Sequence, residues 1–490
     1  MTGRLGSSLR RHAERVFTLD ARSLAAYRVG LGLLLLADCL FRSRDFGLML
    51  TPDGIMPPDM VRSYLGHPAH WSVALVYDAA WWNGGVLAAE GLAGLLLTLG
   101  LFTRPATILG WIAVVSLIRR TSPANNAGDL WLACQLLWAA FLPLGARWSL
   151  DSRRNGPGPP PTAAFSIATV AAVLQLAAVY VGAGLAKCNP SWFAGDALHH
   201  GLSVHDHGTT LGMVIGANPW ITRPLQWIVP IAEILMPLAL IAIPSARLRL
   251  GIVGLAVAFH AGIGALMSVG LFAAVGLVAW LPLIPASAWP AQPVASGARP
   301  VGLGHPATVA CGLLAAFATL AFAIQSVAGR AGPLPEPLAT AIHLTFLRQE
   351  WRMFGTVRSQ EQWVSCRGRL VNGHVIDPLR RGQPVAAGAP PGGFASLPNH
   401  RWHRFLWRLP EPAARPFGPA AAAAIARDWN SRHPPDQRLV NLEIWAGLAE
   451  VVDEGTDRDA LLGAWPTRSA TGQGNLARFL EAAATAAEAR

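Results

Sequence analysis

What most limits the fold of this chain is a succession of apolar stretches, each near the roughly 20 residues an α-helix needs to cross a bilayer. They fall at about 23–41, 84–101, 105–119, 129–145, 163–185, 225–244, 248–267, 270–287 and 305–327, the third being the shortest. Periodicity does not separate strand from helix in such runs, but length does. A segment alone in hydrocarbon must also satisfy its own backbone, which a helix does and a single strand does not. The expected fold is an all-α polytopic membrane domain of about nine transmembrane helices. Composition agrees, because 52% of the 490 residues are hydrophobic and only 14% charged, far from the soluble mix. Past about Gln325 the apolar runs give way to a stretch rich in Arg, Glu, Asp and Trp. The expected division is an N-terminal segment 1–22, a transmembrane domain 23–327 and a small α+β domain 328–490.

The formal charge of +11 raises nucleic acid as a partner. Its placement excludes that reading, since the basic residues sit mostly in short loops between apolar segments and so read as orientation signals toward membrane lipids. Arg4, Arg10, Arg11, Arg15 and Arg22 precede the first run, and Arg104, Arg147, Arg153, Arg154, Arg247, Arg249 and Arg299 fall in alternate loops. In a cell membrane this puts the N-terminus in the cytoplasm and, after nine crossings, the C-terminus outside; Arg119 and Arg120 break the alternation. The first run lacks a small-residue cleavage site and reads as a span, not a cleavable signal. Cys39, Cys134, Cys188, Cys311 and Cys366 show no paired spacing, so neither disulfides nor a cysteine metal site is expected. Trp71, Trp81, Trp82, Trp192, Trp220 and Trp227 flank the spans as interfacial anchors.

Ionisable groups inside spans are costly and tend to face a cavity or one another. Asp38, Glu90, Asp129, Glu233 and His260 all fall in the outer half of their expected helices, with Arg28 the exception. The shared depth predicts a polar pocket opening outward, although each residue alone could serve only helix packing.

Among 39 basic residues, 38 are arginine and one is lysine, Lys187. Arginine does every ordinary cationic task in this chain. A lysine can lose its proton when buried and then act as a base, whereas guanidinium stays charged. The competing reading is an interfacial cation at the exit of the fifth span.

The run Gly184-Leu-Ala-Lys187-Cys-Asn-Pro-Ser-Trp192, followed by Gly195, resembles the catalytic-lysine segment of the vitamin K-dependent gamma-carboxylase family. Arg22-Ser-Leu-Ala-Ala-Tyr-Arg28, Thr51-Pro-Asp-Gly54, Asn125-Asn126-Ala-Gly-Asp129, Phe141-Leu-Pro143 and Arg147-Trp-Ser-Leu-Asp151 are similar to the broader HTTM (horizontally transferred transmembrane) domain that includes those carboxylases. His260 to Phe272 is similar to its histidine-bearing helix, and the resemblance spans roughly 20–290. It implies a catalytic Lys187, with His260 a polar partner inside the pocket that hydrogen-bonds the quinone or orients the lysine. It implies a reduced quinone, vitamin K hydroquinone or menaquinol, as cofactor, with Asn125, Asn126, Trp192 and Glu233 lining its site and no metal. In that family the lysine takes a proton from the quinol, oxygen chemistry generates a strong base, and a glutamate γ-carbon is carboxylated. Where the carboxylases have a histidine after the paired asparagines, this chain has Ala127. The resemblance therefore reaches the quinol half of the chemistry further than the carboxylation half, and a peptide or protein substrate outside the membrane stays open.

The cluster His199, His200, His205, Asp206 and His207 has metal-ligand residue types without regular spacing, and reads as a loop at the pocket mouth. In the C-terminal region, Asn372-Gly373 predicts a hairpin, Arg401–Arg408 and 419–429 read as helices, and Leu439–Trp445 as a strand. The Pro- and Gly-rich residues 382–398 form a loop, and a last helix is expected at about Asn475–Arg490. The arginines and tryptophans of this region favour a domain resting on lipid headgroups over one that clasps a peptide or caps the cavity. Two further classes remain beside an enzyme: a non-catalytic lipid or quinone binder or protein-maturation factor, and a transporter, whose paired interrupted helices are not evident.

Overall fold

A computed structural model describes the chain except for residues 1, 155–160, 195–196, 204–206, 292–304, 329–334, 348–350, 352, 354, 356–359, 387, 451–457 and 467–490. The expected helix at 475–490, together with Gly195, His205 and Asp206, lies outside the described residues.

The chain is mostly helical. Six helices are long and apolar enough to cross a membrane, at Ala21–Arg44, Ala80–Leu99, Ile167–Lys187, Pro219–Ala242, Ala246–Leu266 and Pro306–Ala323. The other three expected spans coincide with helices at Thr103–Arg120, Ala127–Ala139 and Phe272–Trp280. The last two have 13 and 9 residues, which at about 1.5 Å per residue fall well short of a 30 Å hydrocarbon layer. Thr103–Arg120 has the length but carries three arginines.

Two of those arginines, Arg119 and Arg120, are structural, which explains why they broke the loop-charge pattern. Arg120 donates to the carbonyls of Met56 (2.7 Å) and Thr51 (3.0 Å), and Arg119 to those of Trp71 and His343. Arg28, the exception in depth, satisfies the last carbonyls of the Ala80–Leu99 helix: it donates to Leu97 and, at 3.0 Å, to Thr98, and reaches Trp148 O at 2.6 Å. Helix ends leave such carbonyls without intrahelical partners. A guanidinium with several donors is suited to collecting them.

The outer faces of the later helices carry exposed leucines such as Leu235, Leu238, Leu313 and Leu320. In a bundle of this composition these are lipid-facing.

The C-terminal region forms an antiparallel sheet of five strands, in the order Gln383–Pro384, Val375–Asp377, Gln360–Leu370, Leu439–Glu450 and Arg458–Trp465. Asn372-Gly373 makes the predicted hairpin, with Gly373 donating to Leu370 O at 3.0 Å. Helices His400–Arg408 and Phe417–Arg432 pack beside the sheet. The core of this unit also takes in Met49, Ile55, Met56 and Val61 from the first long loop of the transmembrane region, so the two regions share packing.

Candidate functional site

The intramembrane acids do not converge on one pocket, as their shared depth had suggested. Asp38 and Asp129 belong to a buried four-membered ion network. Arg42 Nε meets Asp38 at 2.8 Å, and Arg401, from the C-terminal domain, reaches Asp38 at 2.5 Å and Asp129 at 3.0 Å. Glu90 is fully buried and takes part in none of these ion pairs. Charges buried in pairs hold only while every partner stays, so this network bolts the C-terminal domain onto the membrane helices.

Glu233 and His260 instead line a cavity of about 680 Å³ together with Lys187, Asn125, Asn126 and Trp192. All six residues singled out in the sequence are therefore on one wall system. Ile118, Leu130, Val179, Val229, Phe259 and Ile263 supply apolar surface between them.

Lys187 is the last residue of its helix and is almost fully buried. Its Nζ donates to Glu233 Oε2 at 2.9 Å, to Oε1 at 3.0 Å and to Ala183 O at 3.2 Å. The Trp192 ring lies beside it, 5.7 Å from Nζ to the centroid. Two local features bring Glu233 within reach. Gly184 faces the Pro219–Ala242 helix so closely that a Cβ there would sit 2.7 Å from Ile234 Cγ1 and 3.0 Å from Pro230 O. Pro230 has no N–H, which releases the carbonyl four residues earlier from the helix ladder; that carbonyl, Gln226 O, accepts the Trp192 indole N–H at 2.8 Å. Asn189 finishes the corner, donating to Ala186 O and Gly355 O and accepting from Trp192 N.

His260 sits in a chain of aromatic donors. Trp280 donates to Tyr180 Oη at 2.6 Å, and the Tyr180 hydroxyl lies against His260 Nε2. With the hydroxyl hydrogen directed at Nε2, the imidazole hydrogen sits on Nδ1, a buried atom with no hydrogen-bond partner among the described residues. The ring fits because residue 276 is glycine: a Cβ there would fall 2.2 Å from His260 Cε1 and Nδ1. Asn125 and Asn126 reach the cavity but spend their amides on backbone. Asn125 donates to Ile118 O, while Asn126 caps the Ala127–Ala139 helix and donates to Val269 O at 3.2 Å.

Sequence reasoning missed the cover. His400, His403, Arg404, Trp407 and Arg408 of the C-terminal helix line the same cavity, so this domain caps it and does not merely rest on headgroups. His200 and His207 also line it, although His199 and His200 lie on a short helix, Ala197–Ser203, and not in the expected loop; His199 turns to Gly216 O.

A bundle of lipid-length helices around a buried lysine–glutamate pair, closed by an appended α+β unit, defines an integral membrane protein with a ligand-sized internal cavity. The HTTM domain family model matches residues 17–289, more than half of the chain, and the protein belongs to that family. No curated protein and no solved structure matches it.

Proposed function

We propose that the protein is a quinol-dependent enzyme of the cell membrane, working in a pocket that opens to the extracytoplasmic side. The carrying observation is the Lys187–Glu233 pair, buried in the wall of an otherwise largely apolar cavity. The arginine distribution supports a cytoplasmic N-terminus; the extracytoplasmic placement of the C-terminal domain rests on Thr103–Arg120 crossing and on Ala127–Ala139 and Phe272–Trp280, too short to span alone, crossing together with the segments that flank them.

A reduced quinone, vitamin K hydroquinone or menaquinol, fits the residues present. The apolar wall suits a ring and isoprenoid chain, and the unpartnered His260 Nδ1–H is a donor for a ring oxygen. When bound, such a group supplies acidic hydroxyls and the electrons that reduce oxygen.

The chain's own residues would then work as follows. Lys187 Nζ and Glu233 share a proton across 2.9 Å, so a shift of that proton onto the carboxylate leaves a neutral amine able to accept another. Trp192 closes one side of the amine, Tyr180 orients His260, and Asn125 and Asn126 hold the facing wall. Ala127 lines the cavity without an imidazole, so glutamate carboxylation is not part of the proposal.

One observation favours a second reading, a non-catalytic lipid or quinone binder: the contacts at Lys187 Nζ, two to Glu233 and one to Ala183 O, match the three donors of an ordinary ammonium. The test is oxygen-dependent consumption of reduced menaquinone or vitamin K by the purified protein in nanodiscs, with quinol binding measured in parallel. Turnover that disappears in Lys187→Arg and Lys187→Ala supports the base. Binding without turnover by the wild type overturns it and leaves the binder.

A further inference from the structure

Away from Lys187, three imidazoles meet at the cavity rim, and neither the quinol chemistry nor the family resemblance uses them. His67 and His70 lie in the loop after the Pro58–Leu65 helix, and His343 in the Glu336–Thr345 helix, some 270 residues later in sequence. One ring nitrogen from each lies within 4.8 Å of the others. The His343 ring centroid is 3.9 Å from that of His70 and 4.5 Å from that of His67. We propose that His67, His70 and His343 form a binding site for a divalent transition-metal ion of the zinc type, with Glu336 beside it as a fourth oxygen ligand.

The residue types match, since Zn²⁺ takes imidazole and carboxylate ligands in tetrahedral sets. With Zn–N bonds of about 2.0 Å, tetrahedral ligand nitrogens stand roughly 3.3 Å apart, so nitrogens within 4.8 Å of one another close by up to about 1.5 Å. Side-chain rotation supplies that. His70 Nδ1 is buried without a hydrogen-bond partner among the described residues. His67 is held in place by its neighbours, its Nδ1 accepting from Ala69 N at 3.0 Å and its Nε2 lying 3.3 Å from Glu336 Oε2. His67 ligates through Nε2, the nitrogen 3.3 Å from Glu336 Oε2; its ring hydrogen then sits on Nδ1, which gives up the bond from Ala69 N, worth on the order of 1 kcal/mol.

The second observation is the scaffold. A single guanidinium, Arg119, donates to Trp71 O, next to His70, and to His343 O. The Trp71 indole donates in turn to Leu344 O at 2.9 Å. Both histidine segments are thus clamped to each other by groups that are not ligands. Arg119 also brings a positive charge near the site, which the Glu336 carboxylate offsets; its guanidinium is held between the rings of Trp71 and Phe346, at 5.0 and 5.2 Å. Because His70 and His343 line the main cavity, a metal here would pin the segment leading to the C-terminal domain across the cavity rim.

The test uses the full chain in detergent, stripped with a chelator and then titrated with Co²⁺ as an optical probe, with zinc content measured after Zn²⁺ loading and desalting. The expected result is one tightly held ion per chain, a Co²⁺ spectrum of four- or five-coordinate intensity, and loss of both in His70→Ala and His343→Ala. A wild type that retains no stoichiometric zinc, or that gives only the weak absorption of six-coordinate Co²⁺, overturns the site. Retention of the metal by either variant overturns it as well. Should the variants not fold, Cu²⁺ bound to the wild type must show nitrogen couplings from several imidazoles in its paramagnetic resonance spectrum; their absence counts against the proposal in the same way.

Discussion

Replacing Glu233 by Gln leaves the Lys187 ammonium in place and removes its counter-charge. The two side chains are 4% and 7% exposed, so water screens the pair little. Removing one partner of a buried pair costs about 3–5 kcal/mol, whereas replacing both by apolar groups of similar volume is often nearly neutral. Glu233→Gln and Lys187→Met should therefore each destabilise the protein by about 3–5 kcal/mol, and the double variant Lys187→Met/Glu233→Leu by less than either. The coupling, the sum of the two single losses minus the loss in a matched double variant, should reach at least about 3 kcal/mol. Unfolding in mixed micelles can be followed by the emission of the 19 tryptophans. Single losses that simply add, or a double variant worse than both singles, would show that the two groups do not share a proton or a charge, and the base assigned to Lys187 would lose its acceptor.

Two further outcomes follow from the C-terminal domain. Arg401→Ala leaves Asp38 and Asp129 with Arg42 alone, and an expected loss of about 3–5 kcal/mol should appear as earlier proteolytic release of the residues after 360; unchanged proteolysis would mean that the shared core around Met49 and Ile55 does the holding. Burial, with Arg401 adding a like charge and Asp129, Asp38 and Arg42 acting more weakly, brings the His400 imidazole down to about 4. Its unfolded value is about 6.5, so the unfolded chain takes up the proton first and stability falls as pH drops from about 6.5 toward 4. Melting temperatures across that window should show a slope that His400→Gln reduces; an equal slope in the variant would assign the acid sensitivity elsewhere.

Much of the site was legible because the relevant signals are local. Lys187 stands out as the single lysine in an arginine-rich chain, and Glu233 and His260 as ionisable groups in apolar runs, which hydrocarbon tolerates only near a cavity or a partner. The hairpin at Asn372-Gly373 and both C-terminal helices were legible for the same reason. What escaped depends on contacts distant in sequence. Nothing in the runs around Asp38 and Asp129 says that Arg401 will claim them, and nothing near His400 or Arg404 says that they will roof a membrane cavity. Arg119 and Arg120 looked like misplaced loop charges because their real task, collecting carbonyls from 51–71 and 343, is tertiary. The fifth strand, Arg458–Trp465, lacks clean alternation, and the turn composition of Asp453-Glu-Gly-Thr-Asp457 before it does not by itself announce a strand.

The position of the lysine is fixed by three residues that carry no chemistry themselves. Gly184 lets two helices approach closely, Pro230 frees Gln226 O, and Trp192 spends its N–H on that carbonyl and so lays its ring beside Nζ. Each would be unremarkable alone: glycine and proline are common in membrane helices, and a tryptophan after a span reads as an anchor. Together they hold an amine, a carboxylate and an aromatic face in register at the end of a helix, where a lysine on a flexible stem would otherwise reach for water. A cation needed only for orientation would require none of them. Gly184 and Trp192 bound the run that holds Lys187, so the two ends of that run, with Pro230 on the facing helix, keep Lys187 from snorkelling out of the cavity.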